Sequence, residues 1–393
     1  MKFGEDRILT THTGSLPRPA KLTEMFIRRQ RGEAIDMAEL ARINDEALRA
    51  VIDKQKAAEI DIGNDGEQSH DGFFRYVKHR MTGFDGVWNR PAKADIERFP
   101  AFKRMRALQN AGRTGAIRAL SPAANGPIRY MDPQIIRDEC AKVDVAMREA
   151  NQPFTEIFMN APSPGIVATA LGNLYYDTQE AYIAAIGAAL KVEYEAIVAQ
   201  GFILQIDAPD LALEAGVAFQ DRSQSEFLAF AELVVDTINE ALIHVPRDRV
   251  RMHVCWGNSD SPHDGDIPLA TILPILKRAN VGGYVLPFAS PAHAHEFKEL
   301  GRLPLDDDQY IVAGVVDSVT NVIEHPEVIA DRLERVARVV GDPRRVLAGT
   351  DCGFETVPGM SPVAEDVAWA KLAALAKGAR LASGRLFAHP RTQ

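Results

Sequence analysis

Apolar and polar positions follow two alternating regimes along the chain. Short runs rich in branched and aromatic residues recur as RILTTH (7–12), EIDIGN (59–64), FTEIFMN (154–160), FILQID (202–207), RVRMHVC (249–255), GGYVLPF (282–288), YIVAGVV (310–316) and RVLAGT (345–350). Compact runs of this kind, too short for helices, are the pattern of strands buried on both faces. The stretches between them carry apolar residues at helical spacing. In 36–58 these are positions 37, 40, 43, 47, 48, 51 and 52, and 179–200, 224–243, 268–279 and 326–340 repeat the pattern. His325-Pro326-Glu327 opens the last of these with a first-turn proline and an acid at the positive helix end, and Gly341 ends it. Eight strands alternating with helices predict an α/β fold, a (β/α)8 TIM barrel, with a doubly wound open sheet as the runner-up.

One stretch stands outside the eight-unit count. Between about 85 and 150 lie GAIRALSP (115–122) and GPIRYMD (126–132), separated by AAN. They read as a β-hairpin followed by a helix, inserted after the second strand of one barrel spanning 1–393. The sequence has no Ser/Gly linker, no low-complexity tract and no short internal repeat.

Composition narrows the partners. Lys and Arg number 45 against 54 Asp and Glu, a net charge of −9, which argues against nucleic acid or an anionic membrane as the main partner. No apolar run reaches the ~18 residues of a membrane span, and MKFGEDRILTTHTGSL lacks the apolar core of a secretory signal. Three cysteines, Cys140, Cys255 and Cys352, are too few and too odd for a disulfide framework. A reducing, cytoplasmic setting is expected. There is no G-x-G-x-x-G after the first strand and no G-x-x-x-x-G-K-[ST], so a nucleotide cradle has no support. A homo-oligomer is compatible with the sequence.

In a barrel the chemistry gathers at the C-terminal ends of the strands. Those ends carry His12 and Ser15; Asp65, Glu67 and His70; Asn160; Asp207 and Asp210; His253 and Cys255; Asp317; Asp351 and Cys352. An acid after a strand is often only a helix cap, and Asp65 and Asp210 fit that role best. His253-Val254-Cys255 is sharper. Alternation along a strand sends residues i and i+2 to the same face, so both side chains point to the barrel mouth. Cys352, at the end of the eighth strand, would complete a three-ligand set for zinc. Cysteine is also a common small core residue, so H-x-C alone leaves a plain buried pair open. Two thiolates and one imidazole make an electron-rich metal, a poor activator of water but a suitable holder of an exogenous thiolate. That chemistry is alkyl transfer to sulfur.

At these residues the chain resembles the cobalamin-independent methionine synthase family, and specifically its C-terminal catalytic barrel standing without the N-terminal one. THTGSLPRP (11–19), DGE (65–67), IDAPD (206–210), MHVC (252–255), GVVD (314–317) and TDCGF (350–354) match family motifs in order. The resemblance implies a barrel in which zinc, held by His253, Cys255 and Cys352, activates a thiol for attack on a methyl carbon. It places Ser15, Glu67 and Asp207 around the amino-acid part of homocysteine; a hydroxyl suits its carboxylate and two acids its ammonium. Two departures stand out. Family members have a further glutamate ligand where this chain has Pro287. They also have a histidine, proposed as proton donor, where Val319 follows Asp317. Asp317 or His325 would then be the acid.

A His/Cys/Cys set also resembles the epoxyalkane:coenzyme M transferase branch, in which a zinc thiolate opens an epoxide. The phrases TNVIEHPE (320–327) and VLAGTDCGF (346–354) resemble that branch too. A sulfonate-bearing thiol would want a cation, and Arg18 is the candidate. The resemblance thus implies a thiol acceptor, homocysteine first, and as alkyl donor methylfolate, methylcobalamin or an epoxide. The missing histidine favours a donor whose leaving group needs little protonation. A metal-free decarboxylase like uroporphyrinogen decarboxylase is the alternative on the same barrel, and would need more arginines at the mouth. Among the remaining residues, His70, His79, His263, His293 and His295 read as surface or capping histidines. Trp256 and the pair Tyr175 and Tyr176 read as core or as walls of a donor pocket. Cys140 reads as a plain buried thiol.

Overall fold

The computed structural model describes residues 3–111 and 121–387. Among these residues there are nine strands: β1 Ile62–Gly63, β2 Phe84–Trp88, β3 Ser121–Ala124, β4 Glu156–Pro162, β5 Ile203–Asp207, β6 Val250–His253, β7 Gly283–Pro287, β8 Tyr310–Val316 and β9 Val346–Thr350. Seven form one parallel sheet in the order β1-β4-β5-β6-β7-β8-β9. Residues 9–11 close it. Thr11 N donates to Ala348 O (2.8 Å), Ala348 N to Leu9 O (2.9 Å), and Ile62 N to Thr10 O (3.0 Å). The N-terminal run therefore stands between β9 and β1, and the expected barrel is complete. This first run pairs only through a bridge at Thr10. The Asp61 carboxylate takes the Thr10 N–H (2.8 Å) that would otherwise extend the ladder.

Helices ring the sheet as the periodicity requires. Met37–Ala57, Gln179–Ala199, Gln224–Ala241, Leu269–Leu276 and Pro326–Val340 match the expected stretches within a few residues. Local chemistry sets their ends. The Asp36 carboxylate accepts from Ala38 N and Glu39 N, Ser223 and Glu226 form a reciprocal capping box, and Gly341 terminates its helix at φ 83°. Among the described residues no helix is long and apolar enough to cross a membrane.

The barrel interior is layered. At its base Leu9, Ile62, Phe158, Ile203, Val285, Tyr310, Val312 and Leu347 meet in one apolar cluster. Above them lies Arg251, fully buried with its guanidinium 3.9 Å from the Phe158 ring centre. Its Nε donates to Gln205 Oε1 (2.8 Å) and Nη2 to His12 O (3.2 Å). Burial drives the His12 pKa down to about 4 and that of Arg251 to about 10. The mouth begins one layer higher.

The stretch expected to be a hairpin differs in its pairing. Most of GAIRALSP falls on 112–120, outside the described residues. β3 pairs antiparallel not with GPIRYMD but with the upstream β2, in register Phe84↔Ala124 and Asp85↔Ala123. A bridge from Ala124 to Asn173 ties this small sheet to the loop after the helix Pro164–Ala170. Trp88 lies so close to Gly172 that no Cβ fits there, and Gly172 adopts φ 46°. The helix Pro133–Glu149 packs against Met37–Ala57 and Gln179–Ala199, as one of the ring helices.

Candidate functional site

β6 ends at His253, Cys255 follows two residues on, and Cys352 lies two residues beyond β9. The alternation that sends His253 and Cys255 to the mouth and the parallel closure that brings β9 round place the three together. Their ligand atoms lie within 4.8 Å of one another, and all three residues are buried. His253 Nδ1 lies 3.2 Å from Val285 O. A carbonyl only accepts, so Nδ1 carries the proton and Nε2 faces the sulfurs. A hydrogen bond with Cys352, reinforced by His253, holds the Cys255 thiol well below its ordinary pKa, and the same bond pushes Cys352 well above. The two sulfurs share one proton. Burial disfavours charge on His253, but the Cys255 sulfur lifts its pKa above the usual value. Two sulfurs and a fixed imidazole converging on one point are a donor set that a divalent cation in place of that proton would satisfy. Cys140 is elsewhere, packed on Met159, with burial raising its thiol to about 12.

The triad opens on a cavity of about 150 Å³ that is also lined by Ser15, Glu67, Asp207, Arg90, Ile166 and Gly353. Glu67 sits on a turn built from its neighbours. Asn64 Oδ1 accepts from Gly66 N (2.7 Å) and Asp65 Oδ1 from Glu67 N (3.0 Å), with Gly66 at φ 66° and Glu67 at φ 54°. Left-handed backbone at a glutamate is uncommon and marks an imposed orientation. Its Oε2 is buried without a partner. Burial, and then the Asp207 charge, raise its pKa well above the carboxylate range.

Asp207 is held from below. Arg251 fixes the Gln205 carbonyl oxygen, so the Gln205 amide donates to Asp207 Oδ1 (2.8 Å), while Asn160 donates to Oδ2 (2.9 Å). Burial raises Asp207 to about 6, against the opposing influence of His253. The cavity therefore holds two carboxylates, and among the described residues no cation is bonded to either. That is electrostatically unfavourable until a positive ligand arrives.

Arg18 is not on the cavity wall. Its Nη1 donates to Glu355 O (2.7 Å) and its Nη2 to Glu67 O (2.6 Å), bracing the loops behind Ser15 and Glu67. Asp317 is also removed from the two carboxylates. It lies on a narrow groove beside Cys255 and Cys352, together with Pro287, Val319 and His293. Its oxygens accept from Val319 N (2.9 Å), Thr320 N (3.1 Å) and Thr320 Oγ1 (2.6 Å), closing its own turn. His325 is exposed and caps its helix through Glu327 N. Asp351 accepts from Phe288 N, Ala289 N and Ser290 N, which fixes the loop after Pro287. Asp65 serves the Glu67 turn, and Asp210 is bonded to Ser163; neither caps a helix with its side chain.

Two histidine expectations are overturned. His293 is buried, stacked on Trp256 at 3.9 Å, with Nε2 3.0 Å from Asp266 and Nδ1 3.3 Å from Glu296. His70 is buried on Tyr76 (3.9 Å), with Nε2 3.0 Å from Glu139. Carboxylates from distant turns make both burials tolerable, and no local pattern announces such partners. His263, Asp266 and His293 have metal-like spacing. The Lys93 ammonium, 2.7 Å from Asp266 and 3.0 Å from His263 Nδ1, already supplies the cation. Trp256 is packing: its Nε1 donates to Ile267 O (2.7 Å). Tyr175 is half exposed and the Tyr176 hydroxyl accepts from Ile128 N (2.8 Å); neither lines the cavity. Arg90, on the chain leaving β2, is a charged cavity residue that the sequence did not single out. It follows β2, which pairs with β3, and its guanidinium is held by the buried Glu214.

No protein-family model matches the chain. It is 24% identical over 375 residues to the methionine synthase of Thermococcus kodakarensis, covering 95% of this chain and 92% of that one. It is 24% identical over 414 residues to 2-hydroxypropyl-CoM lyase of Xanthobacter autotrophicus, covering 98% and 97%. Its fold matches the solved structure of a B12-independent methionine synthase from Shewanella sp. W3-18-1 in complex with selenomethionine, with TM-score 0.70, 21% identity, and 98% and 100% coverage. The resemblance to the cobalamin-independent methionine synthases, read first from six short motifs, thus extends over nearly the whole chain in sequence and in fold.

Proposed function

We propose that this protein is a zinc-dependent thiol alkyltransferase that moves a methyl group onto the sulfur of homocysteine. The observation that carries the reading is one cavity containing both a His253, Cys255 and Cys352 donor set and two carboxylates awaiting a cation. When bound, zinc would supply the positive charge that keeps an incoming thiol deprotonated at neutral pH. Three protein ligands leave room for that sulfur. Glu67 and Asp207 receive the ammonium of the amino acid, and their ionisation is favoured as it arrives. The Ser15 hydroxyl donates to the carboxylate. Burial of the cavity excludes water from the reacting sulfur. The new bond joins sulfur to the methyl carbon as the bond from that carbon to the donor breaks, and the electron pair leaves with the donor. Asp317 and His325 are engaged with their own backbone segments, so no proton donor is assigned. A methylated corrinoid, whose leaving group needs no proton, is the donor we favour over methylfolate. A relative named 2-hydroxypropyl-CoM lyase supports a second reading, in which a sulfonate thiol opens an epoxide. Arg90 on the cavity wall and Pro287 in place of the family glutamate favour it.

The test is a product screen on the zinc-loaded protein. Homocysteine and coenzyme M are each crossed with methylfolate, methylcobalamin and a short epoxide, and zinc is assayed in Cys255→Ser and Cys352→Ser. Methionine formation with zinc lost from both variants is expected. Retained stoichiometric zinc in both, or no product from any pair, refutes the reading.

A further inference from the structure

Three strand ends meet at one side chain that the alkyl-transfer reading leaves unused. Cys255, Ser318 and Cys352 each lie two residues beyond a strand, β6, β8 and β9. Asn258, on the turn that follows Cys255, bonds to the other two ends. Its Nδ2 donates to Gly353 O (2.8 Å), and its Oδ1 accepts from Ser318 Oγ (2.9 Å). A carbonyl oxygen only accepts, so the Gly353 contact fixes which end of the amide carries the N–H groups, and the buried Ser318 hydroxyl meets the oxygen. The amide thus ties the turn of Cys255 to the turn of Cys352 across the barrel mouth.

Each of these turns is already pinned within itself. The Gly257 N–H bonds the Cys255 sulfur, and Gly257 adopts φ 101° with Leu213 Cδ1 3.0 Å from where a Cβ would sit. Thr350 Oγ1 donates to Cys352 O (2.9 Å), and Phe354 N donates to Ser15 O (2.8 Å). What remains is the placing of one turn against the other, and the Asn258 amide supplies it. Its position agrees. Cys255, Gly257, Asn258 and Cys352 line both the cavity and the groove that holds Asp317 and Pro287, so Asn258 stands in the wall between them. A half-buried amide hydrogen bond adds little net to folding, because water takes its place when it is lost. Water does not restore the distance that the bond enforces, and zinc–sulfur bonds near ~2.3 Å tolerate little change in it. We propose that Asn258 is a positioning residue for the metal-type centre: its bond to Gly353 sets the separation of the Cys255 and Cys352 sulfurs, and so the affinity for a divalent cation. This rests on the donor set of the alkyl-transfer reading and deepens it, but it is tested by metal binding alone, without turnover.

Zinc affinity is measured by chelator competition for the wild type, Asn258→Ala, Asn258→Asp and Ser318→Ala. Each protein is also loaded with cobalt(II) and its sulfur-to-cobalt charge-transfer absorption recorded. Asn258→Asp is the sharper variant. It keeps the size of the side chain and an acceptor for Ser318, but it turns an oxygen, not an N–H, towards Gly353 O. Zinc affinity should fall about 10- to 100-fold in both Asn258 variants, as when a group that orients a metal ligand is removed. The cobalt absorption should shift or weaken in both. Ser318→Ala should lose less, because the amide keeps its bond to Gly353. Melting of the metal-free proteins separates folding from positioning. A merely structural amide would lower that melting temperature and leave the cobalt absorption unmoved, and this result overturns the inference. Wild-type zinc affinity and absorption in Asn258→Asp overturn it too. Metal binding that responds as expected while no thiol and donor pair reacts would sink the alkyl-transfer reading alone, and a wild type that takes neither metal sinks both.

Discussion

Gly353 stands between a candidate ligand, Cys352, and Ser15, and the space there is accounted for atom by atom. A Cβ added at Gly353 would overlap Ser15 Oγ and lie 3.1 Å from Ser15 N and 3.2 Å from Ser15 Cβ. The backbone cannot drift away freely, because Gly353 O accepts from Asn258 Nδ2 (2.8 Å) and Phe354 N donates to Ser15 O (2.8 Å). Unstrained carbon contacts begin near ~3.5 Å, so Ser15 Oγ must swing out and the strand end must still yield by a few tenths of an ångström. Overpacking of this kind costs about 1–3 kcal/mol. A displaced Ser15 hydroxyl also loses its bond to a bound carboxylate, roughly 1.5–3 kcal/mol or about 10- to 150-fold in affinity for an amino-acid thiol. Gly353→Ala should therefore lower both stability and homocysteine affinity. Ser15→Gly removes Oγ and Cβ together, so in that background Gly353→Ala should cost about 1–2 kcal/mol less. Urea denaturation of the four proteins gives the cycle. Thiol titration with parallel zinc analysis separates Ser15 from a disturbed Cys352. A variant within ~0.5 kcal/mol of wild type that binds homocysteine equally well, or a strictly additive cycle, would refute this account of the packing.

Two other perturbations test the electrostatics. Glu67→Gln should weaken homocysteine by roughly 10- to 100-fold while leaving 4-mercaptobutanoate, which lacks the amine, nearly unchanged; equal losses would mean that Glu67 does not face the ammonium. Burial disfavours charge on His293, but Asp266 and Glu296 outweigh it and lift its pKa from 6.5 to about 9. The folded state thus holds a proton that the unfolded state releases. The stabilisation is complete below pH 6.5 and is lost as pH rises through about 9, some 3 kcal/mol for a shift of this size. His293→Gln should remove that alkaline slope in urea denaturation between pH 6 and 10, and an identical slope in both proteins would contradict the assignment.

What the sequence discloses here is what depends on backbone geometry alone. The strand runs show because branched residues must fill a sheet buried on both faces. His253 and Cys255 can be placed because a strand has period two, and Cys352 because the strand count puts it at the same end. Side-chain direction beyond that is set by partners that no local pattern contains. Asp207, Asp317 and Asp351 all follow strands and read alike. In the fold Asp207 faces the cavity over Gln205, Asp317 closes its own turn, and Asp351 binds three backbone N–H groups of another loop. Arg18 sits in the right motif, but its long side chain turns back to the carbonyls of Glu67 and Glu355. Arg90 has no motif at all: it follows a strand whose partner lies more than thirty residues on, and its guanidinium is held by the buried Glu214. The consequence is chemical. The metal-type donor set comes from strand ends, where the barrel itself fixes position. Asp207 shares that origin, but Glu67 comes from a turn and Arg90 from the chain leaving the small sheet, which relatives sharing the barrel can replace independently. Selectivity among thiols and donors is therefore to be sought at Glu67 and Arg90 rather than at His253, Cys255 and Cys352. Substitutions at the first two should shift which thiol or donor is bound, whereas substitutions at the last three should remove binding of every thiol alike.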